Sequence, residues 1–158
     1  MFISIVVITG RFMKIAIAGL GYVGLSNAIV LSKAHDVVVY DVSEKRVNDL
    51  NNAISPVDDK LAQEMLTAGG LALRATTRMS EALNGAGFVI VATPTNYDPK
   101  TNQFDTSSVE TVIEGVIQHN PKAAIVIKST IPIGYVERLR EKYAVSYTHL
   151  TLPTIYSV

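Results

Sequence analysis

Five short stretches of almost unbroken apolar character punctuate the chain, at 14–18, 36–40, 71–75, 88–92 and 124–128. A strand with one face in water alternates apolar and polar residues. Continuous apolar runs of strand length are instead what a sheet covered on both faces produces. Between these runs, apolar residues recur at helical spacing over 23–33, 43–51, 58–68, 80–84, 107–118 and 135–143. Boundary residues agree with that division. Ser43 stands where an N-cap belongs, Gly69-Gly70 ends a helix ahead of Leu71, and Asn120-Pro121 closes the helix that Thr106 or Ser107 opens. Strands separated by helices imply crossover connections and a parallel, doubly wound α/β sheet.

One stretch departs from the alternation. TPTNYDPKTNQFDT, residues 93–106, is rich in turn formers and long for a connection inside a compact domain, which marks it as a functional loop. Tyr97 and Asp98 within it are expected to form turns rather than to act chemically.

The composition narrows the possible functions. With 158 residues and 48% hydrophobic content the chain has enough apolar material for one real core. Fourteen basic residues balance fourteen acidic ones, which argues against a nucleic-acid footprint. No cysteine is present, so disulfides, thiolate metal sites and a cysteine nucleophile within these residues are excluded, and a cytoplasmic setting is expected. No apolar run approaches the roughly 20 residues that span a bilayer. His35 and His119 have no partner at ligand spacing, so no metal site is expected.

Both ends read differently from the middle. Met13 opens the first strand directly, so residues 1–12 are expected to be a spurious extension from an upstream start. The apolar FISIVVI within them leaves an extra edge strand as the alternative. Residues 145–158, VSYTHLTLPTIYSV, continue no period of the preceding chain. They are read as one translated frame of a sequencing adapter, a non-native tail. On that reading the genuine domain is 13–144, with net charge −1 because Arg11 falls outside it.

The chemistry sits where the first strand ends. Lys14–Ala18 runs into Gly19-Leu20-Gly21-Tyr22-Val23-Gly24 and then into a helix. In such a G-x-G-x-x-G turn the first glycine permits the tight bend and the second lets backbone approach a pyrophosphate. The third lets helix and strand pack closely, with the helix N-terminus facing the phosphates. Alone the pattern is weak. Asp41 strengthens it: it closes the second strand 20 residues beyond Gly21, where an acid accepts hydrogen bonds from ribose hydroxyls and disfavours a 2′-phosphate. Lys45 and Arg46, a turn later, cut against that exclusion. The structural alternative is a plain βα turn with Asp41 capping the next helix. Thr93-Pro94-Thr95 and Ser129-Thr130 end the fourth and fifth strands, where ligands of open α/β sheets bind; they serve a nicotinamide ribose and substrate, or simply cap strands. Lys128 interrupts an apolar strand near its end and snorkels, pairs or serves the cofactor.

Taken together, KIAIAGLGYVGLS (14–26), ISPVDDK (54–60), VATPTNYDPKTNQFDTSSVE (91–110) and IKSTIPIGY (127–135) resemble the amino-terminal domain of the bacterial UDP-glucose 6-dehydrogenase family. The likeness runs from residue 13 to about 143. The later two segments are far more specific than the glycine turn. The resemblance implies a Rossmann-type domain of about five strands in the order 3-2-1-4-5, lacking a sixth. It implies an enzyme that oxidises the C6 alcohol of UDP-glucose twice, yielding UDP-glucuronate and two NADH for polysaccharide synthesis. It also implies NAD as cofactor, a UDP-sugar substrate, a homodimer at full length, and no nucleic-acid or membrane partner. Residue by residue, Gly19, Gly21, Tyr22, Val23 and Gly24 would surround the pyrophosphate. Asp41 would hold the adenosine ribose with Arg46 beside it, where the family usually has Lys. Thr95 and Thr130 would contact the cofactor, and Thr130 would also order the hydrolytic water.

The family's thioester chemistry needs a cysteine and a lysine from a later part of the chain. These 158 residues, having no thiol, are expected to be inactive by themselves. Three other readings remain open: a stand-alone NAD-binding module, a piece of an enzyme for UDP-N-acetylmannosamine or GDP-mannose, and, more remotely, a methyltransferase with a similar glycine turn.

Overall fold

The computed structural model describes residues 13–98, 103–146 and 155–157. The elements follow the order β1 (Lys14–Ala18), α1 (Tyr22–Leu31), β2 (Asp36–Tyr40), α2 (Glu44–Asn51), α3 (Lys60–Ala68), β3 (Leu73–Thr76), α4 (Met79–Leu83) and β4 (Phe88–Val91). A hairpin of β5 (Asn96–Asp98) and β6 (Gln103–Asp105) comes next, followed by α5 (Ser107–His119), β7 (Ala124–Ile127), α6 (Tyr135–Ser146) and β8 (Ile155–Ser157). The main sheet runs β3-β2-β1-β4-β7-β8, every neighbouring pair parallel. Its first five members are the five expected strands in the expected 3-2-1-4-5 order.

The continuous apolar runs have the expected cause. Along β1, Ile15 and Ile17 face one layer while Ala16 and Ala18 face the other, and all four are buried. Leu25, Ala28 and Ile29 of α1, Val47 and Leu50 of α2 and Leu66 of α3 close the first face with Val37, Val39 and Ile90. Leu83 of α4, Val112, Ile113 and Val116 of α5 and Leu139 of α6 close the second with Val38, Val89, Ile125 and Ile127. Each fully buried Val or Ile removes enough apolar surface to contribute about 1.5–3 kcal/mol before entropy is counted.

The helix signals hold as well. The Ser43 hydroxyl accepts the Arg46 amide at α2, and Asp59 accepts the Ala62 amide at α3. Gly69 stands at the C-cap of α3. Asn120 follows α5 and donates through Nδ2 to the Leu83 and Ala86 carbonyls, both at 2.8 Å, tying the end of α5 to the end of α4.

Two features differ from the sequence reading. The loop at 93–106 contains the antiparallel β5–β6 ladder, so Tyr97 and Asp98 lie on a strand, paired with Phe104 and Gln103, rather than in a turn. Three-residue strands give periodicity nothing to register. In addition, the sheet has a sixth strand: β8 extends it beyond β7, with Ile125 opposite Ile155 and Ile127 opposite Ser157. The segment read as a non-native tail thus supplies a rung of backbone hydrogen bonds to an otherwise open edge. Residues 1–12, with the alternative edge strand in FISIVVI, lie outside the described residues.

The opposite edge is finished by a side chain. Asn51 donates through Nδ2 to the Ala75 carbonyl at 3.0 Å and accepts the Ala75 amide through Oδ1 at 2.8 Å. One carboxamide therefore stands in for a neighbouring strand on β3, which is how edge strands avoid recruiting other chains.

Candidate functional site

The turn after β1 is built from three glycines with different structural demands. Gly19 has φ of +105°, and a Cβ there would lie 2.5 Å from the Ala92 carbonyl oxygen. Backbone conformation and the neighbouring strand both require glycine at this position. A Cβ on Gly24 would overlap the Gly19 carbonyl, because the first turn of α1 packs directly on the bend. Gly21 is different. Its φ of −83° and ψ of −172° suit any residue, and a Cβ would meet no atom within 4 Å. The fold itself does not ask for glycine at Gly21, and the space beside it is open.

Gly21 is also the N-cap of α1, and no side chain caps that end. The first amides of a helix lack intrahelical partners and carry the positive end of the dipole, so this terminus presents N–H donors to an anion. Tyr22 and Val23, the next two residues, are exposed. The Tyr22 hydroxyl leans toward the Asp58 carbonyl at 3.5 Å.

Asp41 closes the neighbouring strand. It is buried, with Oδ2 accepting the Leu20 amide at 2.7 Å and Oδ1 accepting the Ser43 amide at 2.8 Å. The carboxylate thus ties the glycine turn to the start of α2. The cap of α2 is the Ser43 hydroxyl rather than Asp41, whose Oδ1 holds the Ser43 amide, while the Leu20 contact adds a link that sequence did not reveal. The Arg46 guanidinium approaches the carboxylate at 4.0 Å and is half exposed.

These residues border a cleft of about 310 Å³ at the carboxyl ends of the strands, walled by Gly19, Asp41, Arg46, Met79, Thr93 and Val112. Apolar walls beside one buried carboxylate suit a flat heterocycle joined to a polyhydroxylated ring. Thr93, expected at the strand ends, lines the cleft, whereas Met79 and Val112 were not singled out from sequence. Each of these two belongs to an element whose place at the cleft follows only from the strand order.

Thr95 and Thr130 lie outside that cleft. Thr95 is half-buried beyond the end of β4, and Thr130 is exposed on the turn after β7. There it lines a separate open cavity of about 530 Å³ formed by residues 128–137, which Lys128 also borders. The two turns are nevertheless joined: the Ser129 hydroxyl donates to the Thr93 carbonyl at 2.7 Å. Of the residues expected at the site, the structure brings Gly19, Asp41 and Arg46 to one cleft, with Gly21, Tyr22, Val23 and Gly24 on its rim-forming turn and helix. It leaves the two threonines along the strand ends to one side.

In line order, β2, β1, β4 and β7 present Asp41, the glycine turn, Thr93–Thr95 and Ser129–Thr130. That row spans three strand spacings, about 14 Å. A row of that length suits an elongated ligand with an anionic middle.

Residues 13–152 match the model of the UDP-glucose/GDP-mannose dehydrogenase family, NAD binding domain. A UDP-glucose 6-dehydrogenase of Campylobacter jejuni is 43% identical over 136 residues, covering 85% of this chain and 35% of that protein. One from Streptococcus pneumoniae is 47% identical over 131 residues, covering 83% and 33%. The solved structure of a UDP-glucose dehydrogenase from the archaeon Pyrobaculum islandicum superposes with a TM-score of 0.77 at 25% identity, over 94% of this chain and 36% of that one. The chain spans about a third of the length of the curated relatives it matches. It belongs to the UDP-glucose/GDP-mannose dehydrogenase family, and the part of that family it represents is the NAD-binding domain.

Proposed function

We propose that this domain holds NAD across the carboxyl ends of β2, β1, β4 and β7 as the cofactor half of a UDP-glucose 6-dehydrogenase. In this reading the whole enzyme is a cytoplasmic homodimer converting UDP-glucose to UDP-glucuronate for polysaccharide synthesis. Bound there, the dinucleotide supplies a hydride acceptor for the C6 carbon. The observation that carries the reading is the open space at Gly21 beside two glycines whose crowding the fold explains.

The residues divide the work as follows. Gly19 and Gly24 hold the bend and bring α1 against it. Gly21, Tyr22 and Val23 offer backbone amides to the pyrophosphate. Asp41, with its lone pairs fixed by the Leu20 and Ser43 amides, accepts the adenosine ribose hydroxyls and repels a 2′-phosphate. Arg46 stands over the same ribose and neutralises part of that charge. Thr95 and Thr130 meet the nicotinamide half, and the exposed Thr130 orders water for hydrolysis of the acyl intermediate. The thiol that would carry that intermediate is not among these residues, which contain no cysteine.

Calorimetric titration of the 158-residue chain with NAD+ and NADP+ tests the cofactor assignment. NAD+ binds and NADP+ binds at least tenfold more weakly; a chain that binds neither, or prefers NADP+, overturns it. The substrate assignment is tested separately. A full-length enzyme containing this domain should form NADH with UDP-glucose and not with UDP-N-acetylmannosamine or GDP-mannose.

A further inference from the structure

Beyond the last rung of the β4–β7 ladder, the two strands would be free to splay. Sheet pairing ends with Val91 opposite Ile127, and the Lys128 and Ser129 amides both turn back to the Val91 carbonyl, at 2.8 and 3.1 Å. The next tie is made by a side chain: Ser129 Oγ donates to the Thr93 carbonyl at 2.7 Å, two residues past the end of β4. Thr93 is held from its other side by α5. Ser108 Oγ lies 2.8 Å from the Pro94 carbonyl and 3.1 Å from Thr93 Oγ1. A hydroxyl has one proton and a carbonyl only accepts. Ser108 therefore donates to Pro94, and Thr93 donates to Ser108. The turn after β4, the turn after β7 and the first turn of α5 thus form one hydrogen-bonded unit.

We infer that Ser129 is a positioning residue that locks the turn carrying Thr130 to the turn carrying Thr95, fixing the half of the site that receives the nicotinamide ribose. The inference rests on the cofactor reading above. It adds a residue whose hydroxyl does its work on protein rather than on ligand. Ser129 and Thr130 stand at the β7 end of the row and do not line the cleft, whereas Asp41 and Arg46 stand at its β2 end. Thr93, Pro94 and Ser108 wall that cleft and stay tied to one another through Ser108 with or without the Ser129 hydroxyl. Breaking the link should therefore loosen one half of a bound dinucleotide and spare the other. A residue needed only for general stability would affect both halves alike.

The experiment is titration of the 158-residue chain and its Ser129→Ala and Ser129→Thr variants with NAD+ and with AMP, with thermal melts of all three. Removing one hydrogen bond between neutral groups predicts NAD+ affinity about three- to tenfold weaker for Ser129→Ala. AMP affinity is unchanged, and Ser129→Thr, which keeps the hydroxyl, binds NAD+ within about twofold of wild type. Equal weakening toward NAD+ and AMP would make Ser129 merely structural and overturn the inference, as would unchanged NAD+ affinity in Ser129→Ala. A wild-type chain that binds neither NAD+ nor AMP instead overturns the cofactor reading on which the inference stands.

Discussion

The Asp41 carboxylate receives the Leu20 amide at 2.7 Å, so the acid at the end of β2 is also a structural strut for the glycine turn after β1. Binding and folding are coupled at this side chain. Asp41→Ala leaves a buried N–H without a partner and should lower stability by about 1–3 kcal/mol, besides weakening NAD+ binding. Asp41→Asn keeps one acceptor oxygen but turns an NH2 donor toward the other amide, so it should recover only part of the stability and little of the binding. Chemical denaturation and NAD+ titration of both variants separate these effects. An Asp41→Ala protein as stable as wild type would show that the strut does not matter.

Asn51 predicts a change in association as well as stability. Its carboxamide occupies both hydrogen-bonding groups of Ala75 on the outer edge of β3. Asn51→Ala should cost about 1–2 kcal/mol and expose a bare strand edge. Light scattering at increasing concentration should show the variant associating while wild type does not.

The α5–α6 contact predicts alkaline sensitivity. Burial, together with the neighbouring Glu114 carboxylate, pushes the Tyr143 hydroxyl from its ordinary value near 10 up to about 12. Lys142, hydrogen-bonded to Glu110 at 2.6 Å, is held above the usual lysine range. Both groups keep their protons more tightly when folded. The stability they contribute is fully present below about pH 10 and is lost as pH rises toward 12. Melting temperatures taken across that window should fall, and Tyr143→Phe should flatten part of the fall. The Lys142–Glu110 pair is half exposed, so added salt should weaken its share.

Much of this fold could be read from the chain because its strands are buried on both sides. Ile15, Val38 and Ile125 belong to apolar runs whose length alone separates strand from helix, and Ser43 and Gly69 mark helix ends by local chemistry. The hairpin around Tyr97 and Phe104 and the edge strand at Ile155–Ser157 were not legible, since three residues hold no period. The meeting of Asp41 with the glycine turn was legible because spacing encodes their positions. Ser108 and Asn51 were not, and Ser129 was legible only as a strand-end hydroxyl beside Thr130, not as a tie to the Thr93 carbonyl. Each acts on backbone distant in sequence, and a serine or asparagine looks the same whether it bridges two loops or faces water.

The central claim is that Gly21 keeps a space for cofactor that the fold does not need. Comparing Gly21→Ala with Gly24→Ala tests it most directly, by thermal melting and NAD+ titration of each. Gly24→Ala drives a methyl into the Gly19 carbonyl and should lose most of its stability. Gly21→Ala meets open space in an ordinary backbone conformation and should melt within a few degrees of wild type, while NAD+ binding falls at least tenfold. A Gly21→Ala chain that folds normally and binds NAD+ as tightly as wild type would contradict the account.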